Sequence, residues 1–333
     1  MQRRLLKALM AAFSLCLGMA VFASQGPAGG QTKAARYPKN AAEFDELFHK
    51  VSNWGRWGKN DELGAANLIT AAKQKQAAGL VKQGISVSLN HDALTQVEAD
   101  NPTPWEHTMN RGFATDTLKI SYHGFAHSHM DALCHISYKD QVFNGYPKAE
   151  VNTEKGCTKM GIERLKSGIL TRGILIDIAR LKGVPYLEPG VAIYTEDLDA
   201  WEKKTGVKIT AGDAVFVRTG RWARRAKFGP WKIAEVGLAG LHASTAAWFK
   251  ARDISFLGGD GPSDVQPSMV EGFGTPLHVL TVVSMGVDLF DHMDLEAVGE
   301  TAARLKRSDF MLTAAPYPVV GGTGYPVNVI ATF

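Results

Sequence analysis

The chain has 333 residues, 45% hydrophobic and 21% charged, a balance that excludes a disordered or fibrous protein and suffices for a full buried core. Its 37 basic and 33 acidic residues leave a formal charge of +4, part of it in Arg3, Arg4 and Lys7 at the N-terminus. Arg218, Arg221, Arg224, Arg225 and Lys227 form the densest basic cluster, too short and motif-poor for nucleic acid; it reads as a solvated surface with one Arg available to a substrate.

Residues 1–23 follow the pattern of an export leader: Arg3, Arg4 and Lys7, an apolar run over 8–22, and a cleavage point after Ala23. A periplasmic or secreted protein is therefore expected, with Arg3-Arg4 leaving the twin-arginine route open. No later run approaches the roughly 20 apolar residues that a span needs, so no stable membrane insertion is expected after leader removal. Residues 24–37 are expected to form a flexible mature N-terminus, and 38–333 one domain without a linker or composition break.

Within that domain the spacing predicts helices over 40–51 and 70–83, the second stopped by Gly84, and then a strand over 85–89. Further strands are expected at 117–122, 173–177, 214–218, 254–258, 280–284 and 327–332. Helical patterns occupy 162–166, 195–205, 244–251 and 295–306. The fold class is α/β without strict alternation. There is no fixed-period repeat, Gly-rich phosphate loop, G-x-S-x-G elbow or H-E-x-x-H helix, which removes the usual signatures of nucleotide, serine-esterase and zincin chemistry.

Cys134 and Cys157 remain after leader removal, too few for a disulfide framework. Cys134 lies among histidines but reads as a small buried side chain rather than a catalytic thiol.

The chemistry concentrates in residues 121–135, which hold four of the ten histidines. In extended backbone His123, His127, His129, Asp131 and His135 share one parity and face one side. Imidazole and carboxylate donors of this kind suit zinc or manganese, and a cation with open positions makes bound water acidic enough to attack near neutral pH. A histidine just past the ligands can then move protons, a role assigned to His135.

Ser128-His129-Met130-Asp131-Ala132-Leu133-Cys134-His135 resembles the second half of H-x-G-T-H-x-D-x-P-x-H, the hallmark of the cyclase family that includes bacterial kynurenine formamidase and isatin hydrolase. By that resemblance His129 and Asp131 are metal ligands and His135 the catalytic acid/base. Phe125 stands where the family has its first ligand, His127 replaces the Gly and Leu133 the Pro. His127 is the first-ranked substitute ligand on parity and proximity, with His123 an alternative after a local bulge.

The resemblance extends along the chain through Asn53-Trp54-Gly55-Arg56-Trp57-Gly58, Asp61-Glu62-Leu63-Gly64, Gly258-Gly259-Asp260 and the Gly- and Pro-containing run 321–328. Its later ligands, a His followed about a dozen residues on by Glu, correspond to His278 and Asp291, with His278 one residue out of register when Gly286 is the anchor. An Asp there needs the backbone closer than a Glu would. Trp54, Trp57 and Arg218 are candidate substrate contacts, Arg218 through bidentate binding of a carboxylate.

The resemblance implies a single compact α/β domain with a central β-barrel-like or swivelling sheet, assembled as a dimer or tetramer. It implies hydrolysis of a small aryl or cyclic amide by a zinc- or manganese-activated water. Ring closure, dehydration and lactone hydrolysis remain open on the same residues, as does a non-catalytic periplasmic metal- or ligand-binding protein.

Overall fold

Asn40 and Thr70 each accept a hydrogen bond from a backbone N–H three residues on, Glu43 and Lys73, and so start α1 (Ala41–Val51) and α2 (Ala71–Ala78). The computed structural model describes residues 37–112 and 114–333; the expected leader, and all of the expected arm except Tyr37, lie outside them. Helix α2 ends at Gly79, short of the predicted stop at Gly84, because the next segment is drawn elsewhere. The N–H groups of Gln83 and Gly84 both donate to the Phe333 carbonyl, tying this stretch to the end of the chain.

Nine strands form the main sheet, which is strongly curled into a half-barrel. They are β1 (Ser86–Ser88), β2 (His129–Asp131), β3 (Ile169–Asp177), β4 (Ala214–Arg218), β5 (Phe256–Gly259), β6 (Asp288–Asp291), β7 (Asp309–Ala314), β8 (Gly324–Tyr325) and β9 (Ile330–Thr332). Their spatial order is β1-β9-β7-β3-β4-β5-β6-β2-β8. The centre, β3-β4-β5-β6, is parallel and the pairings on either side are antiparallel. Among the connections are α3 (Thr195–Thr205) before β4, α4 (Arg221–Phe228) and α5 (Ala246–Ala251) before β5, and α6 (Glu296–Leu305) after β6.

Every residue of β4 is buried, as its run Ala-Val-Phe-Val-Arg requires of a strand covered on both faces. On β6, Phe290 packs its ring against Phe216 and Phe256, with centroids 5.6 and 5.5 Å away. Gly258 leaves room for this arrangement, since a Cβ there would come within 2.7 Å of Phe216 and 3.0 Å of the Phe290 Cβ.

Two expected strands are not sheet strands. Residues 116–119 pair with 106–109 in a separate hairpin whose strand residues are all exposed. The predicted strand at 280–284 is part of a π-helix, Val279–Met285, which continues the helical turn Pro276–His278. A short buried apolar run cannot be assigned by periodicity, and here its neighbours decide. Pro276 presets the first helical φ, and Asp264 accepts the free N–H groups of Leu277 (2.6 Å) and His278 (3.1 Å). Thr281 turns its hydroxyl back to the Leu277 carbonyl at 2.8 Å, and Gly286, at φ 66, ends the helix in the left-handed region.

Cys134 is buried as expected, but it is joined to Cys157 in a disulfide, so it offers no thiol. Among the described residues no helix is long and apolar enough to cross a membrane.

Replacing Phe290 by Ala removes one member of this three-ring contact. The expected cost is about 3–5 kcal/mol, read as a lower urea midpoint with an unchanged slope; an unchanged midpoint would contradict this packing.

Candidate metal centre

Strand β2 runs between β6 and β8, with Asp291 opposite His129 and both Leu289 and Gly324 opposite Asp131. Alternation sends Met130 into the core and sets His129 and Asp131 on the other face, with Asp291 beside them. Gly324 permits the close approach of β8, since a Cβ there would lie 2.2 Å from the Met130 carbonyl oxygen and 3.3 Å from the His123 ring.

Two groups of ligand atoms meet on this face: His123, His129 and Asp131 form one, and Asp131, His278 and Asp291 the other. Asp131 belongs to both. Its Oδ1 lies 3.1 Å from His123 Nδ1 and 3.3 Å from His129 Nε2. His278 Nε2 lies 2.9 Å from Asp291 Oδ2. Asp131 Oδ1, Asp291 Oδ1 and His123 Nδ1 are buried without a properly directed hydrogen bond, although the first and last are near neighbours. Such orphaned atoms are costly unless something else satisfies them. With imidazoles and carboxylates as the donors, a divalent cation fits the gap, and Asp131 could bridge two.

The surrounding bonds orient these ligands. His129 Nδ1–H donates to the His127 carbonyl (2.7 Å) and His278 Nδ1–H to Asp264 (2.7 Å), leaving each Nε2 turned to the carboxylates. His123 holds Thr323 Oγ1 through Nε2 at 3.0 Å, which leaves Nδ1 for Asp131. Burial pushes the Asp131 carboxyl up, but His123 and His129 outweigh it and hold the group well below the ordinary carboxylate range. Burial pulls His278 down, yet Asp291 and Asp264 raise it well above the ordinary imidazole value. The cluster therefore attracts positive charge, and a bound cation would displace that proton.

His135 stacks on His123, with ring centroids 3.7 Å apart and planes 4° from parallel, and its Nε2 is 3.8 Å from Asp131 Oδ2. Burial, helped by His123, His278 and His129 against the opposing charge of Asp131, lowers it to about 4. The ring is thus neutral near pH 7 and still a quarter exposed, with 26% of its side-chain surface open.

The parity argument fails N-terminal to His129, because regular strand begins only there and residues 123–127 follow a series of bends. The geometry places His123, and not His127, in a group of potential ligands. The bends carry His123 back to Asp131, whereas His127 Nε2 bonds the Thr103 carbonyl at 2.9 Å and joins neither ligand group. His278 and Asp291 do come together with Asp131; direct strand pairing of Asp291 with His129 supplies the closeness that the shorter carboxylate needs.

The candidate substrate contacts are placed differently. Arg218 is 5% exposed and is held by Asp177 (2.9 Å), Glu296 (2.5 Å) and the Pro185 carbonyl, which leaves no fork for a substrate carboxylate. Trp54 donates to the Val283 carbonyl at 2.7 Å, and Trp57 packs on the core with the Arg56 guanidinium 4.9 Å above its ring. No hydrogen bond or ring contact among the described residues links either Trp to the His and Asp cluster. Each braces the N-terminal segment.

Sequence reasoning passed over Asp264, Thr323 and His292, and it read Arg221 only as part of a basic cluster, solvated, salt-bridged or facing a substrate carboxylate. Arg221 is buried, with Nη1 2.6 Å from His292 Nδ1, Nη2 on the Phe125 carbonyl and Asp100 at 3.5 Å. Burial lowers it to about 10, so it stays protonated near neutrality. The adjacency of His292 to Asp291 was the one available signal; the other three act from distant parts of the chain. A cleft of about 550 Å³ adjoins this region, lined among others by Asn90, Trp105, His127, Ser128 and Tyr325.

A family model described as "Putative cyclase" matches residues 61–264. Among solved structures, one described as a novel cyclase is 29% identical, with a TM-score of 0.74 over 86% of this chain and 99% of its own. Isatin hydrolase A from Ralstonia solanacearum is 18% identical, with a TM-score of 0.52 over 78% of this chain and 95% of its own. The isatin hydrolase A of Labrenzia aggregata, bound to benzyl benzoate, is 17% identical, with a TM-score of 0.53 over 79% and 98%. No curated protein matches the chain.

The ligand assignment is checked by metal content. His123→Ala and Asp131→Asn are expected to lose metal, measured by mass spectrometry of purified, dialysed protein, while His127→Ala keeps it. Loss in His127→Ala with retention in His123→Ala would reverse the assignment.

Proposed function

Because the chain belongs to the cyclase family, we propose that it is a metal-dependent hydrolase of a small aryl or cyclic amide. The observation that carries this reading is Asp131, shared by two groups of ligand atoms and left with an orphaned oxygen. His123, His129 and Asp131 would hold one divalent cation, zinc or manganese, and Asp131, His278 and Asp291 would complete a second position. A cation bound there supplies Lewis acidity, polarising a carbonyl and making water acidic enough to attack near neutral pH.

The chain's own residues supply the proton movements. His135 is neutral near pH 7 and partly open, so it can take a proton from the attacking water and return it to the leaving nitrogen. Asp131, 3.8 Å from His135 Nε2, favours the imidazolium formed between those steps. The cleft beside His127 and Ser128 is large enough for a small planar amide. The isatin hydrolases that share this fold lend support to a cyclic amide.

Export belongs to the same proposal: the leader pattern in residues 1–23 agrees with the Cys134–Cys157 disulfide, which persists in an oxidising compartment. We also propose a homo-oligomer, its hairpin at 106–119 being too exposed to be self-supporting. Ring closure, dehydration and lactone hydrolysis use the same groups. A non-catalytic metal-binding protein is the reading from another class, and the placement of His135 weighs against it.

The test pairs metal analysis with turnover on formyl-anilides, cyclic amides and lactones. An amide is expected to be hydrolysed, with activity lost on chelation and restored by zinc or manganese. His135→Gln is expected to keep its metal while kcat falls about 100- to 10,000-fold. A His135→Gln protein as active as the wild type would defeat the mechanism; bound metal without turnover of any compound would favour the binding protein.

A further inference from the structure

Arg221 and His292 are buried ionisable groups that the chemistry above leaves without a role. Arg221 opens α4, and its Nη1 lies 2.6 Å from His292 Nδ1. A guanidinium has N–H donors and no acceptor, so Nδ1 must be the acceptor and carry no proton. A neutral imidazole bonded in this way has its hydrogen on Nε2.

The surroundings fix both partners. Arg221 also donates to the Phe125 carbonyl and, at 3.4 Å, to the Asp260 carbonyl, with Asp100 3.5 Å away. His292 sits at φ 57, a left-handed conformation that is uncommon outside glycine and concentrates at functional sites. Its N–H donates to the Gly261 carbonyl at 3.1 Å, and its own carbonyl accepts from Ser128 Oγ at 2.8 Å. The ring follows Asp291 in the chain and lies 5.9 Å from the His129 ring, 27° from parallel. No group among the described residues accepts a hydrogen bond from Nε2.

We propose that Arg221 locks His292 as the neutral Nε2–H tautomer, and that this N–H is the hydrogen-bond donor that steadies the oxyanion formed on the substrate carbonyl. The inference rests on the hydrolase reading. A neutral imidazole suits the task because it lends a hydrogen bond to developing negative charge without giving up its proton. Its locked orientation means that little reorganisation is needed when the charge appears. His135 moves protons and His292 holds one still, a division imposed by the different neighbours of the two rings. Arg221 is a positioning residue in this scheme, acting through His292.

The tautomer can be read directly by long-range nitrogen–proton NMR on zinc-loaded protein labelled with 15N-histidine, using His292→Gln to assign the resonance. The expected wild-type signature is a bare Nδ1 with a protonated Nε2, shifting to mixed tautomers in Arg221→Lys or Arg221→Leu at unchanged zinc content. In turnover, His292→Ala is expected to lower kcat about 100- to 1000-fold with KM within about twofold, and His292→Gln, whose amide N–H can stand in for Nε2–H, to recover part of it. An imidazolium or an Nδ1–H signature in the wild type would overturn the lock. An active wild type whose His292→Ala variant keeps full kcat would overturn the oxyanion role alone. A wild type that hydrolyses no amide, lactone or formyl-anilide defeats the hydrolase reading, and the oxyanion role falls with it.

Discussion

A carboxylate buried at the centre of a protein has to be answered by positive charge, and Asp131, 1% exposed, imposes that demand on everything near it. Desolvating an ion costs several kcal/mol even after the protein relaxes, and the cost is recovered only by well-placed partners. Three imidazoles reach it, from His123, His129 and His135, and still one of its oxygens has no directed hydrogen bond. The same shortage recurs at Asp291. A site so rich in acceptors suits a cation, and its surroundings keep that arrangement rigid.

Rigidity is supplied by backbone that comes unusually close. Strand β2 is three residues long, yet it is clamped on both edges, by β6 and by β8. The clamp at β8 depends on Gly324, where no side chain could fit against Met130. On the other side, Asp264 caps the Pro276–His278 turn and grips the His278 ring with the same carboxylate. One residue thereby stabilises a helix start and orients the ring of a candidate ligand, coupling local folding to the site.

The buried arginines show the same economy of position. Arg218 and Arg221 stand three residues apart at the end of β4 and the start of α4, and each is absorbed by partners from distant segments: Asp177 and Glu296 for the first, His292 and Phe125 for the second. A guanidinium in such a setting is a structural tie with fixed donor directions, which is why a lysine would not replace it. What reads as a basic surface patch is in part the framework behind the reaction face.

Much of the architecture was legible in the chain itself. Capping at Asn40, the helical run that becomes α3 and the apolar start of β4, Ala-Val-Phe-Val, follow from local rules, because propensity and burial pattern there agree. The crowding of His129, Asp131 and His135 was equally plain, since the three lie within seven residues of one another. The identity of the remaining ligands was different. Parity chose His127 because it assumes extended backbone, and the bends at 123–127 remove that assumption and bring in His123. The run at 280–284 became a π-helix because Pro276, Asp264 and Gly286 set its ends. Sequence by itself determined the α/β class and the chemistry of the donors; tertiary structure decided which donors meet, because that depends on contacts such as Asp264 with His278 and Gly324 with Met130 that no local pattern encodes.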